Sequence, residues 1–389
     1  MSESIKIRLF VSNHGKKAGI EDYINSFEYL FRKRGFDFAV SEKLHDDALN
    51  LLIDEFTNHA VNAYIAKFTK SARNAKLVLV LTEFIEKQFL VTSLNNFEGM
   101  GEAATLAFAN CFLRHMRDDF RKPRMSDYFI AVLYAPVMIW VLGKLSAEYI
   151  YRVPRGGKAA KRELKRRYLY RHLYMHSRYL GLESMLGHMD AVVLAHQGIQ
   201  RGYVEMCRAI DNMPECLGVF YQEFSTDGLD GMMLVNKRAA IEMTGSITRF
   251  RRSEKVRINR QIALLGLSHW LGQVSSRGFK EGRSEEGQAA FSIHPPQQKN
   301  WPYCSPTRIY RALVVDHNIP ILTKRYGQHP IEDLCLTSLD EAYEMMADRE
   351  NLERFLSERI ERYLGNVSVM NDDLCRGLKR VSLSKARSG

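Results

Sequence analysis

Strand-like and helix-like runs alternate along most of this chain, and this alternation restricts its fold more than any other feature. Ile5–Ser12 and Lys76–Leu81 are rich in β-branched and other apolar residues, as buried strands are, whereas Glu21–Arg34 carries apolar residues at helical spacing. Parallel strands need long crossover connections, which are usually helices. We therefore expect an α/β protein in which helices cover both faces of mainly parallel sheets.

A loop-forming cluster at residues 225–231 (Ser-Thr-Asp-Gly-Leu-Asp-Gly) interrupts the alternation, which then restarts with a strand over Ala239–Thr244. The length of 389 residues also favours two domains. We expect two Rossmann-like, doubly wound domains over residues 1–225 and 226–345, facing a central cleft where strand-end loops bind ligands. Residues 346–389 would form a C-terminal helix and a basic tail, frayed from Arg376.

Several segments carry element predictions that the structure can test. The pattern predicts helices over Asp46–Phe56 and Ser253–Leu265, and a strand over Phe129–Tyr134. Ser275–Gln288 is charged and contains several glycines, which predicts a mobile loop that closes over a ligand. Tyr128–Leu142 is apolar but shorter than the roughly 20 residues of a membrane span, so we favour a buried segment of the α/β fold over a membrane insertion.

The charge balance favours anionic partners. Lys and Arg number 56 and Asp and Glu 45, giving a formal net charge of +11. The basic, tyrosine-rich stretch Arg152–Arg178 is best explained as a solvated amphipathic helix, and contact with an anionic membrane surface is the next explanation. Nucleic acid is not an expected partner, because no recognition-helix or zinc-finger spacing is present.

The cysteines and the first residues bear on location. The six cysteines lack the close spacing of zinc ligands, so we expect reduced thiols and no metal site. The first residues enter a strand-like run and lack the apolar core of a signal peptide. We expect a cytoplasmic protein, and a peripheral position at the inner face of the membrane stays open.

The segment Phe291–Leu313 carries the most specific pattern. A strand ends at His294, a Pro-rich loop follows, and Ser305-Pro306-Thr307 has the residues that begin a helix. Free amide groups at a helix start carry partial positive charge and can hold a diphosphate, to which Ser305 and Thr307 add hydroxyls and Arg308 a guanidinium. An ordinary capped helix explains the same residues.

One strand–helix unit later, Glu332 lies in the first turn of the next predicted helix. A carboxylate there can accept hydrogen bonds from the two hydroxyls of a ribose. Acidic residues are also common in the first turn of any helix, because they interact well with its dipole.

The order of these elements resembles the donor half of GT-B glycosyltransferases. The resemblance covers residues 239–340 and rests on the helix SPTRIYRAL, the strand IPILT, the helix opening with Glu332, and the turn Thr244-Gly245-Ser-Ile-Thr248-Arg249. It implies a GT-B-like pair of domains, with a nucleotide-sugar donor in the second and a glycan, lipid-linked or protein acceptor in the first. It implies metal-independent transfer without a cofactor, and no Asp-x-Asp pair stands out as a metal site.

Transferred to this sequence, the resemblance also assigns residues to the donor. The expected contacts to the diphosphate, the sugar and the ribose are Gly245, Thr248, Arg249, Arg252, Lys255, His294, Ser305, Thr307, Arg308, Tyr310 and Glu332.

Two residues of the first half are candidates for the general base that would deprotonate the acceptor. His14 lies in the loop after the first strand, and Glu83 lies at the end of the Lys76–Leu81 strand. A loop histidine and a helix-capping carboxylate are the ordinary explanations, and His196 is a weaker third candidate. The expected function is glycosyl transfer. The alternative is a non-catalytic binding or scaffold protein that uses its basic surface on nucleic acid or an anionic membrane.

Overall fold

The computed structural model describes most of the two predicted halves. It covers residues 4–12, 20–53, 59–72, 74–82, 84–86, 89–90, 125–133, 135–136, 181–207, 213–227, 238–244, 249–268, 273–277, 289–296 and 304–384.

The first half forms a six-stranded parallel sheet. Its strands are β1 (Lys6–Phe10), β2 (Asp37–Ser41), β3 (Leu49–Ile53), β4 (Lys76–Leu81), β7 (Ala191–Leu194) and β8 (Glu215–Val219), and β5 (Ile85–Glu86) and β6 (Phe89–Leu90) form a short antiparallel pair beside it. The order β2-β1-β3-β4-β7-β8 changes direction between β1 and β3. The strands β3, β4 and β7 are buried along their whole length, because apolar cores cover both faces of the sheet.

The second half forms a smaller parallel sheet. Its strands are β9 (Arg238–Thr244), β10 (Ser275–Arg277), β11 (Ala289–His294) and β12 (Ile319–Leu322). The order β10-β9-β11-β12 changes direction between β9 and β11. Both sheets are consistent with Rossmann-like architecture, in which such a change of direction opens a crevice at the carboxyl ends of the strands.

The helices follow the strands that they pack on. They are α1 (Ile20–Lys33), α2 (His59–Ser71), α3 (Met125–Leu133), α4 (Ile199–Cys207), α5 (Arg249–Leu264), α6 (Pro306–Tyr310), α7 (Leu339–Ala347) and α8 (Arg349–Leu383). A π-helical turn over Arg311–Val315 continues α6, and Pro330–Leu334 is a 3₁₀ helix.

The 35-residue helix α8 connects the hydrophobic cores of the two sheets. Leu356 and Val367 are buried in the core of the second sheet, and Leu374 and Leu378 in a core of the first. The prediction of a frayed tail from Arg376 was wrong, because the apolar stripe of the helix continues to its end and packs against the first sheet.

Two element predictions were also wrong. Asp46–Phe56 contains strand β3 instead of a helix, because its apolar run is buried on both faces between β1 and β4. Residues 129–133 of the predicted Phe129–Tyr134 strand belong to helix α3, and Tyr134 lies outside the described residues. A short, continuous apolar run shows neither the helical period nor the alternation of a strand clearly. Periodicity alone therefore does not distinguish a helix from a strand in such a run.

The remaining segment predictions have mixed outcomes. Ser275–Arg277 is strand β10 rather than loop, while residues 278–288 lie outside the described residues. In the apolar segment, Phe129 and Val132 of α3 are 71% and 74% exposed, so this part is not buried as expected. Among the described residues, no helix combines the length and apolar character needed to cross a membrane.

Candidate functional site

Three cationic or potentially cationic side chains come together at the carboxyl edge of the second sheet. His294 is the last residue of β11, Arg251 lies in the first turn of α5 after β9, and Arg308 lies on α6. Burial, together with the positive charges of Arg308 and Arg251, lowers the pKa of His294 to about 3. The site therefore lies where the strand order changes direction, the usual ligand position in doubly wound sheets.

Arg251 is the buried member of an arginine run. Its side chain is fully buried, whereas the neighbouring Arg252 is exposed and Lys255 is half-buried. Burial, followed by the charge of Arg308, lowers the pKa of Arg251 to about 9. Among the arginines of this run whose side chains are described, Arg251 is therefore the one that lies next to Arg308 and His294. It was not among the residues predicted to contact the donor.

A signal for Arg251 is present in the sequence. Ile258 and Ile262 are buried on α5 and lie seven and eleven residues after Arg251, which places all three on one helix face. The predicted helix began at Ser253, whereas the helix begins at Arg249. Arg251 was therefore not considered as part of the buried helix face.

The arrangement is suited to an anion. The guanidinium of Arg308 raises the free energy of the charged form of the buried Arg251, and negative charge near the two groups would lower it. The lowered pKa leaves His294 neutral at pH 7, so one ring nitrogen carries a proton that it can donate. Neither ring nitrogen of His294 has a hydrogen-bond partner in the described part of the chain.

The start of α6 lies on the same side of the sheet. Ser305 precedes the helix and Pro306 is its first residue, as expected for a helix start. Ser305 Oγ lies 3.4 Å from Thr307 Oγ1, and the two side chains are half-buried. Tyr310 is buried in the core against Phe224, and burial raises the pKa of its hydroxyl to about 12.

Glu332 has a structural role that the sequence analysis did not foresee. Its carboxylate is buried and accepts hydrogen bonds from the backbone N–H groups of Tyr326 (2.6 Å), Gly327 (3.1 Å) and Gln328 (3.3 Å). These bonds occupy both carboxylate oxygens and fix the turn that follows β12.

His196 lies at a contact between the two halves of the molecule. Its ring stacks on that of His329, with 5.6 Å between the centroids, and also contacts Phe84. Nδ1 of His196 accepts a hydrogen bond from the Gly198 N–H. Burial lowers the pKa of His196 to about 4, with Glu332 acting in the opposite direction. The side chain is 2% exposed, so it packs within this contact.

A second contact joins the start of α1 to the end of α6. Arg311 Nη1 lies 3.3 Å from both carboxylate oxygens of Asp22, which is in the first turn of α1. The start of α1 therefore lies near the helix that carries Arg308.

Other predicted site residues cannot be placed in this geometry. His14, Glu83, Gly245 and Thr248 lie outside the described residues, and Arg249 is described only as the first residue of α5. The basic stretch Arg152–Arg178 also lies outside them. Within the described ranges, no three His, Cys, Asp or Glu side chains are grouped as ligands of a metal ion.

In the comparisons with known proteins, similarity was found to solved structures and to nothing else. No family model matches the chain, and no curated protein matches it. The structure is similar to that of a UDP-glucosyltransferase from Polygonum tinctorium, described as capable of glucosylating indoxyl, in a complex with 3,4-dichloroaniline. The alignment covers 98% of this chain and 99% of that chain, with 9% sequence identity and a TM-score of 0.32. A likeness of this size carries no weight for the function below.

Proposed function

We propose that the protein is a glycosyltransferase that moves a sugar from a nucleotide-diphosphate donor to an acceptor hydroxyl. One observation carries the proposal: Arg251, His294 and Arg308 come together where the strand order of a parallel sheet changes direction. A nucleotide diphosphate is an anion that such a site suits, and it is the leaving group when a sugar is transferred from this donor.

In this proposal the protein acts mainly by electrostatic stabilisation. Arg251 and Arg308 would stabilise the charge that develops on the departing diphosphate, and neutral His294 would donate a hydrogen bond to it. Ser305 and Thr307 add hydroxyl donors beside Arg308. The reaction would then need no metal ion, because the protein itself supplies the positive charge.

The acceptor half of the proposal rests on the first sheet. The ion pair between Asp22 and Arg311 brings the start of α1 close to α6, which carries Arg308. His14 or Glu83 would act as general base on a glycan, lipid-linked or protein acceptor. If transfer does not require His14 or Glu83, only the assignment of the general base is refuted, and the donor site is unaffected.

Substitution of Arg308 tests the donor site. A panel of nucleotide sugars is first screened for hydrolysis or transfer by the full chain, and the active donor is then used with R308A. Loss of one group that stabilises the developing charge should lower kcat by about 100-fold or more. R260A is the matched control, since Arg260 is an exposed residue of α5, and it should retain wild-type turnover. Normal turnover by R308A would refute the donor site.

A binding experiment separates this proposal from a non-catalytic basic protein. Nucleoside diphosphates should raise the unfolding temperature of the wild-type chain by mass action and should do so much less for R308A. Retention on heparin or anionic vesicles without any response to nucleotides would favour the alternative.

A further inference from the structure

A cationic cavity lies between the turn after β12 and helix α8. Its volume is about 280 Å³, and Arg325, Arg359 and Arg362 line it together with Asp333 and Asn366. None of these residues belongs to the Arg251–His294–Arg308 cluster.

Two of the three guanidinium groups are held in place by the same carbonyl oxygen. Arg359 Nη1 and Arg325 Nη2 each donate a hydrogen bond of 3.3 Å to the backbone oxygen of Cys335. Arg359 Nη1 also donates to the Asp333 carbonyl, and its guanidinium lies 3.6 Å from the centroid of the Phe355 ring. These contacts fix two like charges close together before any ligand arrives.

The third arginine completes a positively charged wall. Arg362 follows Arg359 by three residues on α8, so both side chains occupy the same face of the helix. Arg362 is exposed to solvent and lines the cavity opening.

Acidic groups nearby offset only part of this charge. Asp333 lies 3.6 Å from Arg325 and its side chain is 76% exposed, and Glu341 lies 3.9 Å from Arg359. Burial lowers the pKa of Arg359, Glu341 opposes this effect, and Arg325 adds to it. Three guanidinium groups thus line the cavity with one carboxylate.

A larger cavity of about 630 Å³ adjoins the first and shares Arg325, Asp333 and Asn366 with it. It continues past Gln197 to Val369 and Met370, whose side chains are partly exposed. An anionic group held by the arginines would therefore have space beside it for an organic body with some apolar character.

We propose that the arginine cavity binds the phosphate group of an organic phosphomonoester, with the rest of the ligand in the adjoining cavity. Planar guanidinium groups present paired N–H donors that match phosphate oxygens, and fixing them in advance reduces the entropic cost of binding. The proposal does not depend on the glycosyltransferase function.

Calorimetric titration of the full chain tests this site. Glycerol 3-phosphate is the soluble probe, and phosphatidylcholine vesicles containing phosphatidic acid present the same phosphomonoester as a lipid headgroup. R325Q and R362Q should each weaken binding by about tenfold or more, because each removes a charged donor. R376Q makes the same change on α8 outside the cavity, where Arg376 pairs with Asp373, and should bind as the wild type does.

The variant R308A shows which of the two cationic sites binds the probe. Affinity that persists in R308A and falls in R362Q supports the arginine cavity. Binding of glycerol 3-phosphate alone would assign a soluble ligand, and binding of the vesicles alone would assign a lipid headgroup. The proposal is overturned if the wild type binds neither probe, if R362Q binds as the wild type does, or if R308A abolishes binding.

Discussion

Asp22 is a buried carboxyl that the protein keeps near an arginine. Its side chain is 2% exposed, and Arg311 Nη1 lies 3.3 Å from both of its oxygens. Burial raises the pKa of Asp22 from 3.8 to about 6, because the effect of desolvation exceeds that of Arg311. The ionised form is therefore less favourable in the folded protein than in the unfolded chain.

This shift predicts a pH dependence of stability. Between about pH 4 and 6 the unfolded chain loses the Asp22 proton while the folded protein keeps it, so folding becomes less favourable as the pH rises. The variant D22N stays neutral and lacks this effect. The wild type should lose stability relative to D22N across this range, by on the order of 3 kcal/mol at most. Denaturant unfolding of both proteins at several pH values measures the difference.

Asp37 supplies a control of opposite sign. A hydrogen bond from Arg8 lowers the pKa of this exposed carboxyl, so the wild type should gain stability relative to D37N as the pH rises through the acidic range. A difference between the wild type and D22N that is independent of pH, or that follows the direction of D37N, would contradict the prediction for Asp22.

The arginine run of α5 shows what sequence reasoning reaches at the residue scale. The sequence predicts basic residues after β9 at the donor site, and Arg249, Arg252 and Lys255 were the ones expected there. Arg251 is buried because of the direction in which its side chain leaves the helix axis. This direction changes by 100° from one residue to the next. An error of a few residues in the helix start therefore changes which arginine is expected to face the site.

At the scale of elements, the end of α8 illustrates how tertiary packing extends a helix. Leu374, Leu378 and Val381 are buried against the first sheet, and Leu378 and Val381 lie beyond Arg376, where the basic composition predicted fraying. The burial of these apolar side chains stabilises the helical end, although charged residues lie between them in the sequence.

Substitutions near the end of α8 test this packing. Leu378 is 1% exposed, so L378A should lower the free energy of unfolding by about 2–5 kcal/mol through lost burial and a cavity. Leu383, on the same helix, is 78% exposed, and L383A should change it by no more than about 0.5 kcal/mol. Equal effects of the two substitutions in denaturant unfolding would show that the helix end does not pack as described.

At the scale of the whole molecule, Glu223 connects three separate parts of the chain. It lies after the last strand of the first sheet and is fully buried. Its carboxylate accepts hydrogen bonds from Arg34 at 2.7 Å and 3.1 Å, from Lys33 at 3.2 Å and from Asn371 of α8 at 3.0 Å. Burial alone would raise the pKa of Glu223, but the bonds from Arg34 and Asn371 outweigh it and lower the pKa.

Removal of this charge should destabilise the protein strongly. E223Q leaves the largely buried Arg34 with only the partly exposed Asp372 as an acidic partner among the described residues, so the expected loss is about 3–5 kcal/mol in the free energy of unfolding. E215Q removes a carboxylate that pairs with Arg380 at the surface and should cost no more than about 1 kcal/mol. Calorimetric unfolding at pH 7 measures both. Similar losses for the two variants would show that the buried network adds little.

Local patterns in the sequence determined the alternation of strands and helices, the positions of β1, β4, β9 and β12, and the helix start near Ser305, because these depend on neighbouring residues. Strand order, the proximity of Arg251 to Arg308 and His294, and the packing of α8 against the first sheet were decided only by the tertiary structure. Each of them depends on residues far apart in the chain, and local periodicity does not show which distant residues meet.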